Sequence, residues 1–265
     1  VSPQACLDPP RQEARSNGHP PAKPLTAARG RVVRLLDADP DLGRGLTPEQ
    51  RAQARRVAVA TLVTLDRGSW VPSEDGPPRA LGFLVLSGAL LRDVRVADRW
   101  CSELLGPGDV LRPHEPFEPE SLASDSAWTV LEPVRLARLD GRFAAVAGRW
   151  PALLEELLSR TFQRSWALAA MRGLSSIPRL EVRLALLLRI VADRWGRVVP
   201  EGVVVPLPLT HETLARLSGA QRPSVTAALG RMTERGSLQR TVGRGWLLPH
   251  EPLDEPWGVE ARLAS

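Results

Sequence analysis

The chain has 265 residues, 43% hydrophobic and 25% charged, with 21 Gly and 25 Pro, enough to bury a core and build two domains, which excludes collagenous, coiled-coil and wholly disordered classes. Its 35 basic and 30 acidic residues leave a net charge of +5, which permits a polyanionic partner without demanding one. Two distant cysteines, Cys6 and Cys101, exclude a disulfide framework or a Cys-rich metal site within one chain, and no apolar run approaches the roughly twenty residues that span a bilayer, so a cytoplasmic protein with no membrane partner is expected.

Residues 1–28 carry Pro at 3, 9, 10, 20, 21 and 24 with few large apolar residues and no signal-peptide core, and read as a disordered leader. From Arg31 the apolar Val32, Val33, Leu35 and Leu36 precede a helix starting at Thr47, with Pro48 at its first position and Glu49 near its positive end, a helical lead-in. Short β-rich runs follow at 58–65, 82–86, 89–96 and 129–139, separated by turn chemistry at 66–68, 74–78, Ser87-Gly88 and Gly106-Pro107-Gly108-Asp109. Lead-in and strands make one barrel unit, 29–147. Pro151 then opens a long helix within 148–177, where Leu154, Leu157, Leu158, Thr161, Phe162, Ser165, Trp166 and Ala169 recur at three and four. That stripe fits either a core-packing helix or a seam between two subunits.

Residues 178–250 read as a compact α+β unit: a helix at 180–194, a strand at 203–207, two helices joined by a tight turn, and a hairpin around Gly243-Arg244-Gly245, the order of a winged helix. A tail occupies 251–265. Nearly every cation in the chain is Arg and Tyr is absent, a mark of coding bias, so placement matters more than number. Eleven Arg against five acids between 179 and 249 leave the rest of the chain close to neutral.

Within 209–232, Thr210 is placed to cap a helix whose buried face is Leu214, Ala215 and Leu217, and Gly219 permits the turn. The second helix starts near Arg222-Pro223 and turns Val225, Ala228, Leu229 and Met232 inward. Thr210, His211, Gln221, Arg222, Ser224, Thr226 and Arg231, with Arg240 and Arg244 on the hairpin, are therefore the candidate contacts to double-stranded DNA. Arg222 suits guanine O6 and N7, Gln221 suits adenine, the hydroxyls suit phosphates, and the hairpin arginines suit flanking backbone.

The segment from Leu209 to Leu238 resembles the C-terminal helix-turn-helix of the Crp/Fnr family of bacterial transcription regulators. Gly82-Phe-Leu-Val-Leu-Ser-Gly-Ala-Leu90, Leu105-Gly-Pro-Gly-Asp-Val110 and Val130-Leu-Glu-Pro-Val-Arg-Leu-Ala-Arg-Leu139 are similar to the signatures of its cyclic-nucleotide-binding-like barrel. The resemblance implies an α+β chain: an N-terminal double-stranded β-helix barrel, a long dimerisation helix and a winged helix-turn-helix. It also implies a homodimer on a two-fold operator and contact with RNA polymerase. The family's recognition helix often reads bases with Arg, Glu and a second Arg; Arg222 matches the first, but Pro223 and Ala227 replace the others, so a different operator is expected.

The family's nucleotide cassette pairs Gly-Glu with an Arg-Ser or Arg-Thr that holds the cyclic phosphate. Here Ser124 or Asp125 stands where that Arg would be, among Glu115, Glu118 and Glu120, so classical cyclic AMP is not expected. Arg112 could take over only with a different loop fold. Two cysteines are too few for a cluster, and His114 or Cys101 is a weak basis for haem, so no cofactor is expected. An unknown small-molecule effector is assigned to Leu105, Gly106, Gly108, Asp109 and Trp128, although Trp70, Trp100 and Trp128 fit a core better than a pocket. The alternatives are a cupin-like barrel enzyme or a ligand-binding module whose helical domain serves protein contacts. The four scattered His and the absence of Ser-His-Asp, P-loop and GxGxxG patterns argue against catalysis.

Overall fold

The computed structural model describes residues 31–72, 80–96, 99–113, 124–241 and 245–250. The expected leader and tail, the turn at 74–78, His114, the acids at 115, 118 and 120, and Gly243 and Arg244 of the hairpin lie outside them.

The lead-in is not wholly helical. Val32–Arg34 forms strand β1, because its β-branched residues meet the open edge of β2 (Val59–Leu65), with Val32 opposite Thr61. Helix α1 (Leu35–Ala38), a 3-10 turn (Pro40–Gly43) and α2 (Pro48–Val57) follow. A capping box starts α2: Thr47 Oγ1 accepts from the Gln50 N–H at 3.3 Å, and Gln50 Oε1 accepts from the Thr47 N–H at 3.1 Å.

The remaining strands are β3 (Gly68–Trp70), β4 (Gly82–Val96), β5 (Arg99–Leu105), β6 (Val110–Leu111) and β7 (Ser124–Leu139). They form an antiparallel sheet ordered β1-β2-β7-β4-β5, with β3 on β7 and β6 on β4. The turn expected at Ser87-Gly88 is a bulge inside one continuous strand, where the β4–β7 register shifts between Val85 and Leu90. Gly88 takes φ +92°, and a Cβ there would lie 2.3 Å from the Pro133 carbonyl oxygen. Strand β5 was not anticipated, since Arg99, Ser102 and Glu103 break its apolar pattern; pairing along β4 supplies it.

Period-two alternation in β4 and β7 builds three cores. Phe83, Val85, Leu90, Val130, Val134 and Leu136 turn inward and, with Leu105, Leu111, Trp70 and Trp128, fill the sheet's interior. Leu84, Ala137 and Leu139 turn outward beneath α1, α2, α3 (Gly141–Ala147) and the start of α4 (Pro151–Ser175). Further along, Ala89, Leu91 and Leu131 turn outward into the core of the C-terminal unit.

That unit comprises α5 (Leu180–Trp195), β8 (Arg197–Val199), β9 (Gly202–Val205), α6 (His211–Ser218), α7 (Arg222–Glu234), β10 (Gln239–Arg240) and β11 (Trp246–Pro249). Its sheet runs β10-β11-β9-β8, which completes the expected winged helix with one strand more than the sequence suggested. Among the described residues no helix is long and apolar enough to cross a membrane. Helix α4 is tied to the lead-in and to the sheet by ion pairs. Arg160 reaches Asp39 and, at 2.9 Å, Glu156, while Arg164 bonds Glu103 and donates to the Val110 carbonyl at 2.8 Å. Burial disfavours the Arg164 charge, but the hydrogen bonds it donates to Glu103, together with the charges of Glu103 and Asp109, outweigh it and hold its pKa above the ordinary value.

Gly88→Ala is expected to lower the unfolding free energy by about 2–3 kcal/mol, from backbone strain at positive φ compounded by contact with Pro133. Urea unfolding measures it; a loss below about 0.5 kcal/mol, the scale of ordinary surface substitutions, would show that the bulge relaxes freely.

Candidate nucleic-acid interface

Local chemistry sets both helices of the motif. Thr210 Oγ1 accepts from the Thr213 N–H at 3.0 Å and starts α6, whose Leu214, Ala215 and Leu217 are buried. Gly219, in the left-handed region at φ +66°, ends it, and the Ala220 N–H closes back on the Ala215 carbonyl at 2.9 Å. Pro223 sits in the first turn of α7, where a missing N–H costs nothing, and Val225, Ala228, Leu229 and Met232 anchor that helix in the core. Gln221, Arg222, Ser224, Thr226 and Ala227 are left exposed.

Beside that end of α7 lies a notch of about 430 Å³ lined by Thr210, His211, Arg222 and Arg240, with Pro208, Leu209 and Glu212 at its margin. Trp246 packs against two of these residues. The buried indole donates to the Leu209 carbonyl at 3.2 Å, carries the Arg240 guanidinium 4.0 Å from its ring centre, and stacks with His211 at 6.2 Å and 27°. Burial, then the charges of Arg240 and Arg222, push the His211 imidazole below its ordinary pKa.

Arg231 does not join this group. Its guanidinium is held by Glu181 of α5, which also accepts from Arg235 at 2.8 Å, so it clamps α7 to α5 while remaining exposed. The hydrogen bond from Arg231, supported by the charge of Arg235, holds Glu181 below the usual carboxylate range. Arg244 lies outside the described residues.

Sequence reasoning also missed Arg216. Its Nε meets Glu212 at 3.0 Å, a partner legible as an i,i+4 pair, while Nη1 lies 3.3 Å from the buried Asp93 of β4 and its guanidinium sits 5.5 Å from the Trp100 ring centre. These contacts dock α6 on the β4–β5 hairpin.

Residues 182–252 match the Crp-like helix-turn-helix domain. Among solved structures, a CooA mutant from Carboxydothermus hydrogenoformans is similar at 22% identity and TM-score 0.55, over 71% of this chain and 82% of that one. A cyclic nucleotide-binding domain containing protein from Listeria monocytogenes is similar at 19% identity and TM-score 0.55, over 79% of this chain and 96% of that one. The C-terminal unit therefore carries a Crp-like helix-turn-helix domain, and the chain as a whole shares its fold with these structures. The regulatory protein CysR of Synechococcus elongatus is 32% identical over 144 residues, 52% of this chain and 60% of CysR, so the match spans less than two thirds of that relative.

The expected effector residues separate. Leu105 and Trp128 are in the packed interior of the sheet, where Trp128 meets Trp70 edge-on at 5.5 Å. Gly106 lies against Trp195, whose ring a Cβ would approach to 2.3 Å. Gly108 and Asp109 instead line a cleft of about 550 Å³ with Asp39, Arg160, Arg164 and Arg194. Asp109 accepts from the Gly106 N–H at 2.8 Å and pairs with Arg194 at 2.8 Å, and Arg112 donates to the Ala80 carbonyl at 2.9 Å. Residues adjacent in sequence thus face different cores and do not gather into one pocket.

Because the Glu181 pKa is depressed on folding, its clamp stabilises above the ordinary value of 4.5 and is lost as pH falls through the folded value. Glu181→Gln is accordingly expected to lower the unfolding midpoint at neutral pH, with the gap to wild type closing in acid. A gap that persists unchanged in acid would assign the loss to packing rather than to the carboxylate.

Proposed function

We propose that the protein is a sequence-specific transcription regulator that binds double-stranded DNA as a homodimer and reads a palindromic operator with the N-terminal end of α7. The observation that carries this reading is that end itself: Gln221, Arg222 and Ser224 stand exposed on a helix whose opposite face is anchored by Val225, Ala228, Leu229 and Met232. In the major groove Arg222 offers a bidentate fork to guanine and Gln221 a matched pair to adenine. Thr210, His211 and Arg240 then lie toward the sugar-phosphate backbone, with Arg244 assigned to the wing. The basic balance of this unit and the similarity to CysR, a regulatory protein, support the same reading.

The dimer reading is supported by α4. Leu158, Phe162 and Trp166 recur every four residues and are 54%, 60% and 80% exposed, an apolar stripe on the face opposite the ion-paired Arg160 and Arg164. A second copy would cover it, which favours the seam over the core-packing helix. A small-molecule effector and contact with RNA polymerase belong to the same proposal, with classical cyclic AMP left aside for want of the cassette Arg.

Selection of randomised duplex DNA by the purified protein is expected to recover a palindrome. Arg222→Ala should weaken binding to it by about 1–3 kcal/mol and relax one position in each half-site; equal losses on every sequence would remove Arg222 from base reading. Phe162→Asp combined with Trp166→Asp is expected to yield a folded monomer in sedimentation, whereas an intact dimer would place the seam elsewhere.

A further inference from the structure

We infer that His211 is a proton-linked phosphate contact: its imidazole takes up one proton as a DNA backbone phosphate enters the notch between α6, α7 and the wing. This rests on the DNA-binding reading above and specifies its chemistry at one atom.

Hydrogen-bond direction carries the argument. The Thr226 hydroxyl donates to the Arg222 carbonyl at 3.1 Å, one turn back along α7. Its single proton is thereby used, and its oxygen, 3.0 Å from His211 Nδ1, accepts from that nitrogen. Nδ1 therefore carries the proton of the neutral ring, and Nε2 is left with a lone pair. Among the described residues, Nε2 has no hydrogen-bond partner. In this tautomer the nitrogen that remains for an anion is an acceptor, which repels a phosphate oxygen. Protonation at Nε2 converts it into a charged donor without disturbing the bond to Thr226, so the contact and the proton arrive together.

The surroundings favour the neutral ring while the notch is empty and the charged ring once it is filled. Arg222 approaches from α7 and Arg240 from β10, Trp246 lies beneath the ring from β11, and neighbouring Glu212 is engaged by Arg216 at 3.0 Å. Partial burial, and then the two cations, depress the free imidazole's pKa. A phosphate between the same groups compensates both guanidinium charges and adds an attraction for a third. The proton comes from solvent, no covalent bond changes, and the new bond is Nε2–H to a phosphate oxygen. The linkage has a definite sign: between the free and the bound pKa, affinity rises as pH falls, by at most about tenfold per unit for one proton.

The test is a fluorescence titration of a labelled mixed-sequence duplex at constant ionic strength, between about pH 5.5 and 8.5 where imidazoles titrate. Such a duplex suffices because a backbone contact is independent of sequence. Wild type is expected to tighten toward acid by several-fold more than His211→Gln over the same range. His211→Arg, permanently charged, should be flatter than wild type and tighter than His211→Gln at the alkaline end. The imidazole resonance of His211 should move to higher pKa when the duplex is added. Duplex binding in which wild type and His211→Gln share one pH slope, or an imidazole pKa unmoved by DNA, overturns the proton linkage while leaving the DNA-binding reading intact. Failure to bind the duplex at any pH overturns both.

Discussion

Everything in this molecule depends on β4 and β7 being buried on both faces. A strand that is apolar on alternate residues needs one cover; strands that read Phe-Leu-Val-Leu and Val-Arg-Leu-Ala-Arg-Leu need two over part of their length. Inward, Val85, Leu90, Val134 and Leu136 close against one another and the two tryptophans. Outward, one end is covered by the lead-in helices through Leu84 and Ala137, and the other by the winged helix through Ala89, Leu91 and Leu131. The bulge at Gly88 lies between these two outward patches, where a change of register aims the strand from one cover to the other.

The orientation of the winged helix is therefore a packing property of the barrel. Leu91 and Leu131 share a cluster with Leu184, Leu187 and Leu214, so no solvent layer separates the two units there. Polar contacts set the angle that apolar contact alone leaves loose. Asp93 is buried and accepts from Ser102, and its second oxygen faces Arg216 of α6. At the other side, Arg194 of α5 pairs with Asp109 and donates to the Pro107 carbonyl at 2.8 Å, while Trp195 lies against Gly106. Separating the units would strand a buried carboxylate at one contact and expose an indole face at the other, so α6 and α7 follow the β4–β5 hairpin.

How much of this was legible follows from the range of each interaction. The helix-turn-helix was readable because its determinants are local: the Thr210 cap, the left-handed Gly219, Pro223 in a first turn and the spacing of Val225, Ala228, Leu229 and Met232 all act within a few residues. Pro151 announced α4 for the same reason. The barrel was less readable. Ser87-Gly88 carries the same composition as a turn, and only Pro133, 45 positions later, makes it a bulge. Leu105 and Gly106 are neighbours, but which face each takes is decided by Trp195 and by the partners across the sheet. The ion pair of Arg231 was likewise out of reach, since its partner Glu181 lies fifty positions earlier.

Helix α4 brings these elements together. At 100° per residue, Phe162 stands 200° from Arg160 and an equal angle short of Arg164, so the ion-paired face and the apolar stripe lie back to back. Arg160 and Arg164 fasten one side of the rod to Asp39 and Glu103, that is, to the lead-in and to β5. Its far end joins the winged-helix core through Leu174. In the proposed dimer the other side meets its two-fold mate along Leu158, Phe162 and Trp166. The cleft and the winged-helix core thus share one helix with ion pairs on one face and exposed apolar side chains on the other.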